Sequence, residues 1–136
     1  MSKSITKRST RTKRSAVPDE IARAVEAASA KKALEIVVLD LREASGFTDF
    51  FMICTGGNAR QIRAIADAVE TALGQHGTKP VHVEGYKNSE WILLDYFDFV
   101  VHVFSEPMRA FYGLERLWGS ASHLDLSSFL SEPTRA

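Results

Sequence analysis

Only one cysteine, Cys54, occurs in the 136 residues, so neither an internal disulfide nor a multi-cysteine zinc site can form. A reducing, cytoplasmic location is the natural expectation. Long apolar runs are also missing: "FVVHVF" at 99–104 falls far short of the roughly 20 residues a membrane-spanning helix requires, and no membrane partner is expected. Acids are absent from residues 1–17, which carry Lys3, Lys7, Arg8, Arg11, Lys13 and Arg14. The remainder holds 11 basic and 17 acidic residues, a net charge of −6. Such a body lacks the cations needed to neutralise a phosphate backbone broadly, and it suits a basic protein partner better. The basic tail is short of apolar residues as well, with Ile5 the sole large one between Met1 and Val17. It can form neither the apolar face of a transit helix nor the core of a secretory signal. No internal repeat is visible.

What is present describes one ordinary domain. Hydrophobic residues make up 45% and charged residues 25%, too apolar a mixture for a wholly disordered chain. A chain of this length buries roughly two-thirds of its unfolded surface, enough for one packed core. Pro18, Asp19 and Glu20 signal a helix start, and Ile21, Val25 and Ala28 predict a helix over 18–31. "EIVVLDL" at 35–41 and "DFFMICT" at 49–55 read as paired strands joined by a longish connection. Asn58 is a candidate N-cap for the clearest helix, in which Ile62, Ile65, Ala66, Val69 and Leu73 share a face. On its other side Arg63 and Asp67 stand one turn apart and can pair, and Gly74 and Gly77 mark the exit. "PVHVEG" at 80–85 predicts a short strand. "WILLDY" at 91–96 and "DFVVHVF" at 98–104 predict a tight hairpin turning near Tyr96 and Phe97. Ser105 can cap a last helix near 107–118, with Phe111, Leu114 and Trp118 on one face and Gly119 stopping it. The fold class expected is α/β, a mixed sheet of about five strands flanked by helices. The domain spans 18–119, between a basic tail at 1–17 and a loosely packed extension at 120–136.

Candidate chemistry is sparse. Asp40, Asp49, Asp95 and Asp98 could include a magnesium-binding pair. Asp95 and Asp98 flank a predicted turn, however, where aspartate commonly bonds nearby backbone amides, and no metal site is assigned. "TGGNARQ" at 55–61 puts glycines at a strand end and amides at a helix start, as anion binding requires. It lacks the Lys and hydroxyl of a P-loop, so a structural turn is the better reading. His76, His82, His102 and His123 show no ligand spacing, and Cys54 sits in an apolar strand. No nucleophile, base and oxyanion donor assemble, and neither catalysis nor a cofactor is expected. "EWILLDYFD" at 90–98 stands out instead. Strand alternation puts Trp91, Leu93 and Asp95 on one face and Ile92, Leu94 and Tyr96 on the other. Trp91 either closes the core or stands outward as an aromatic anchor beside acids, a good docking surface for a basic protein.

The blocks "KKALEIVVLDLREASGFTDFFMICTGGNARQIRAIADAV", "EG" at 84–85, "WILLDYFDFVVHVF" and "RAFYGLERLW" at 109–118 resemble the ribosomal silencing factor, or Iojap-like, family in order and spacing. The resemblance covers Lys31 to Trp118. It implies a nucleotidyltransferase-like mixed sheet without the catalytic site. It further implies a translational repressor that binds the large ribosomal subunit through ribosomal protein L-fourteen and sterically blocks joining of the subunits. The partner-contacting segment of the family falls on Trp91, Leu93, Asp95, Tyr96 and Asp98, with Glu84 and His102 as further candidates. Trp91 is then the apolar anchor, and Asp95 and Asp98 offer carboxylates to basic groups. The family usually has glycine where this chain has Phe97, a turn position that glycine's permissive backbone suits. The basic tail lies outside the matched blocks; a solvated tail and a weak ribosomal RNA contact are both open to it. A homodimer through an exposed strand edge is open too. The rival from the enzyme class is a magnesium-dependent nucleotidyltransferase using Asp95 and Asp98.

Overall fold

A computed structural model describes residues 17–44, 46 and 48–130 of the chain. What was expected of residues 1–16, the body of the basic tail, therefore lies outside the described residues. The elements run α1 (Asp19–Ala30), β1 (Leu34–Asp40), β2 (Phe50–Thr55), α2 (Ala59–Gly74), β3 (His82–Glu84), β4 (Trp91–Asp95), β5 (Phe99–Phe104), α3 (Glu106–Tyr112), α4 (Leu114–Leu117) and β6 (Ser122–His123). They build a mixed sheet in the order β3-β4-β5-β2-β1-β6. β1 and β2 pair antiparallel as expected, β4 and β5 form the hairpin, and β2 and β5 run parallel at the centre.

Local chemistry explains the boundaries. Asn58 Oδ1 accepts from the Gln61 amide at 2.8 Å and caps α2. At the far end Gly77 takes φ 83°, Thr78 N donates to Leu73 O, and Gly77 N donates to Gly74 O, the Schellman arrangement that glycine permits. Ser105 Oγ accepts from Met108 N at 3.3 Å and starts α3. Glu20 Oε2 accepts from Thr78 Oγ1 at 2.7 Å, tying the start of α1 to the segment leaving α2.

Side chains alternate across the sheet and make two cores. On one face α1 and α2 bury Ile21, Val25, Ile62, Ile65, Val69 and Leu73 against Met52, Ile92, Leu94 and Val101. On the other, Leu39, Phe51, Ile53, Val100 and Phe104 are covered by Met108, Leu114 and Trp118 from the short C-terminal helices and the turn after them. Arg109 locks that cover down: its Nε and Nη2 donate to Glu115 at 3.0 and 2.9 Å, and its Nη1 donates to Thr55 Oγ1 at 2.9 Å. The guanidinium also holds the Glu115 carboxyl below its usual range.

Four expectations change. The sheet has six strands, because Ser122 and His123 pair with Asp40 and Leu39. Among the described residues after 119, Leu124 and Leu126 are buried in the helix-covered core rather than loosely packed. Arg63 does not partner Asp67; its Nη1 donates to Ser89 Oγ at 2.8 Å, and Asp67 accepts from the Tyr86 hydroxyl at 3.2 Å. Finally, the last helix is broken at Gly113, which adopts φ 55°. One left-handed residue interrupts the helical period and rotates the next turn, so Leu114 and Trp118 pack inward while Phe111 is left in solvent.

Candidate docking face

β4 is sealed on one face and only partly covered on the other. Ile92 and Leu94 are fully buried under α2, while Trp91, Leu93 and Asp95 are partly exposed on the opposite side. β3 pairs with β4 so that Glu84 lies opposite Leu93 and His82 opposite Asp95. Residues directly opposite in a sheet share a face, so Glu84, His82, Trp91, Leu93 and Asp95 line one surface.

Trp91 is the fixed point of that surface. Its ring stacks on Phe104 with centroids 4.9 Å apart and lies 4.6 Å from Tyr112. Its Nε1 donates to His102 Nδ1 at 3.0 Å. Because an indole N–H can only donate, Nδ1 must be unprotonated and the imidazole proton sits on Nε2. His102 is only 3% exposed, and burial pushes its pKa down to about 3, so the ring is neutral. Phe51 packs edge-on against the same imidazole at 4.5 Å. The indole is therefore held in place with its one polar group already engaged, and what it offers outward is apolar.

The remaining predicted residues divide. Glu84 is exposed, and its Oε2 lies 2.6 Å from His82 Nε2. Asp95 Oδ1 accepts from the Phe97 amide at 2.8 Å, shaping the turn as expected of an aspartate there. Asp98 is exposed at the hairpin tip. Two residues are corrected as direct contacts. His102 lies behind Trp91 rather than beside it. Tyr96 faces the helices, 7% exposed and stacked on Phe99 at 4.9 Å, because it follows Leu94 in the alternation. Its buried hydroxyl has no hydrogen-bond partner among the described residues, and burial raises its pKa.

At the tip itself Phe97 takes φ 74°. Asp98 N donates to Tyr96 O at 2.8 Å across it, a γ-turn, and Tyr96 N donates to Phe99 O at 2.9 Å. The positive φ falls at the first loop position, where a tight hairpin favours glycine. Phe97 O accepts from Thr48 Oγ1 at 3.1 Å, and the Phe97 side chain is 71% exposed.

The "TGGNARQ" turn is held by hydrogen bonds of Gln61. Gly57 N donates to Gln61 Oε1 at 2.6 Å, and Gln61 Nε2 donates to the carbonyls of Lys31 and Lys32. A Cβ on Gly56 would meet Ile62 Cγ1 at 2.7 Å. Among the described residues no group of three His, Cys, Asp or Glu could hold a metal ion. Cys54 is fully buried with its thiol pushed up to about 12, which leaves it unreactive. No helix of the described residues is long and apolar enough to cross a membrane. Sequence reading missed Tyr112 against Trp91 and the Arg109–Glu115 clamp; the aromatic pair ahead of Gly113 was the available signal.

Sheet and face together define a small mixed α/β domain with one sealed side and one partly open, aromatic and acidic side. A family profile described as "Ribosomal silencing factor during starvation" matches residues 14–136. The chain belongs to this ribosomal silencing factor family. Ribosomal silencing factor RsfS of Halalkalibacterium halodurans is 40% identical over 108 residues, covering 79% of this chain and 92% of the relative. Protein Iojap, chloroplastic, of Zea mays is 39% identical over 101 residues, covering 74% of this chain and 44% of that protein. A crystal structure of a Chromobacterium violaceum protein superposes with a TM-score of 0.72 at 30% identity, covering 85% of this chain and 88% of the other. One from Bacillus halodurans gives 0.71 at 37% identity, covering 79% and 98%.

Proposed function

We infer that the protein is a non-enzymatic translational repressor that docks on the large ribosomal subunit through ribosomal protein L-fourteen and sterically blocks joining of the subunits. The observation that carries this reading is the state of Trp91. A large aromatic stands partly exposed on β4, its indole N–H satisfied by a buried neutral imidazole and Glu84 and Asp95 on the same face. Rigid aromatic anchors ringed by polar groups are the residues that dominate binding energy at protein interfaces. The acidic rim suits a cationic protein and repels a phosphate backbone. Glu84, Trp91, Leu93 and Asp95 form the contact surface, with Asp98 at its end. His102 supports it from behind, and Tyr96 takes no direct part. Membership of the silencing-factor family points the surface toward the ribosome, and the similarity to bacterial relatives favours a cytoplasmic one.

Mechanistically the action is occlusion: a folded domain on the inter-subunit side occupies volume the small subunit needs. Co-sedimentation tests both halves. The purified chain should travel with large subunits and shift a mixed population from joined ribosomes to free subunits. Trp91→Ala should weaken binding by about tenfold or more while the fold persists. A protein that never travels with large subunits ends the functional reading; a Trp91→Ala chain that binds undiminished ends the site assignment.

A further inference from the structure

Phe111 and Tyr112 close α3 immediately before the left-handed Gly113. Phe111 is 75% exposed and Tyr112 is exposed as well. A lone exposed phenylalanine is ordinary, but this one is continuous with other rings. Phe111 meets Tyr112 edge to face at 5.0 Å and 89°, and Tyr112 in turn lies 4.6 Å from Trp91. Three rings thus run in a row from β4 onto α3. Glu84 and Asp95 share the Trp91 face of the sheet, Glu90 precedes Trp91 and Glu106 opens α3, all but Asp95 exposed, while Arg116 is the exposed cation beside Gly113. The imidazole on the rim, His82, is held by Glu84. Open ring faces attract ammonium and guanidinium groups, and neighbouring carboxylates reinforce that choice over an anionic ligand.

We propose that the docking surface continues past β4 onto α3, where Phe111 and Tyr112 form a second anchor for a segment of the same protein partner that carries Lys or Arg side chains beside an apolar one. This rests on the docking reading of the Trp91 face. It adds a contact outside the strand and specifies the chemistry that the partner must bring. RNA is disfavoured as occupant because its phosphates would face the acids.

The test uses the full chain and purified large ribosomal subunits, comparing wild type with Phe111→Ala, Phe111→Lys, Phe111→Glu and Trp91→Ala by sedimentation. Phe111 is exposed, so its variants should keep the wild-type thermal midpoint. Phe111→Ala is expected to bind about tenfold more weakly. Phe111→Lys should be weaker still, and Phe111→Glu the least impaired of the charged pair, since the partner is cationic. Full binding by Phe111→Ala alongside a weakened Trp91→Ala overturns the second anchor and leaves the strand site standing. Undiminished binding by both variants removes the docking reading and this extension with it. Equal loss in the Lys and Glu variants overturns the cationic partner. A wild-type dimer that Phe111→Ala converts to monomer, with subunit binding unchanged, assigns the rings to a second copy of the chain and overturns the proposal.

Discussion

The two faces of one sheet are finished differently. Two helices of 12 and 16 residues seal the first, and the side chains of Ile92, Leu94, Val101 and Val103 are fully buried there. The second is covered by helices of 7 and 4 residues whose packed side chains reach β2 and β5, and it leaves Trp91 and Leu93 on β4 partly open. Adjacent residues of one strand therefore carry different duties. The sealed side supplies stability, and the open side supplies a surface whose exposed apolar area a monomer gains nothing from.

Leu94→Ala and Leu93→Ala break that comparison most sharply. Leu94→Ala opens a cavity under α2 and should cost about 2–5 kcal/mol in chemical denaturation. Leu93→Ala, only partly exposed, should cost about 1 kcal/mol yet weaken binding to large subunits. Equal destabilisation by the two would erase the distinction between faces.

His102 makes the open side sensitive to acid. Its folded pKa is depressed to about 3, against about 6.5 in the unfolded chain. Between those values the unfolded state binds a proton that the folded state excludes. Stability is then fully present above pH 6.5 and declines by about 1.4 kcal/mol per unit as pH falls toward 3. Replacing it, as in His102→Gln, should flatten the decline attributable to this ring in urea titrations across pH 4–7. An unaltered slope would show that the imidazole is not the proton-excluding group.

The smallest effect belongs to the tip. Phe97→Gly releases a side chain from φ 74° and should raise the denaturation midpoint by the equivalent of about 1 kcal/mol. A fall in midpoint would mean that the ring stabilises the hairpin more than its backbone strains it.

Legibility in the sequence followed local periodicity. Ile62, Ile65, Ala66, Val69 and Leu73 announce α2, and the same five are its buried residues. The alternation in "WILLDY" put Trp91, Leu93 and Asp95 on the face where they lie, and Asn58 and Ser105 cap as their types suggest. Non-local effects were invisible. Two residues of β6 carry no period, and only their pairing with β1 makes a strand. Helical spacing placed Phe111 with Leu114 and Trp118, and a single left-handed residue at 113 cancelled it. Whether Trp91 is open depends on how far α3 and α4 reach across the sheet, which no pattern in β4 encodes. His102 looked like a candidate contact for the same reason: its burial arises from Phe51 and Trp91, brought from two other strands, together with Phe104 on its own strand.

The parallel pairing of β2 with β5 governs when the Trp91 face can exist. Phe50 aligns with Phe99 and Thr55 with Phe104, so the centre of the sheet cannot close before residues 99–104 are available. Such distant pairing slows folding relative to local contacts. During synthesis, β4 lacks its inner neighbour until residue 104 has emerged, and the indole lacks its acceptor at 102. A nascent chain thus has no assembled Trp91 face until residues 102–104 have emerged.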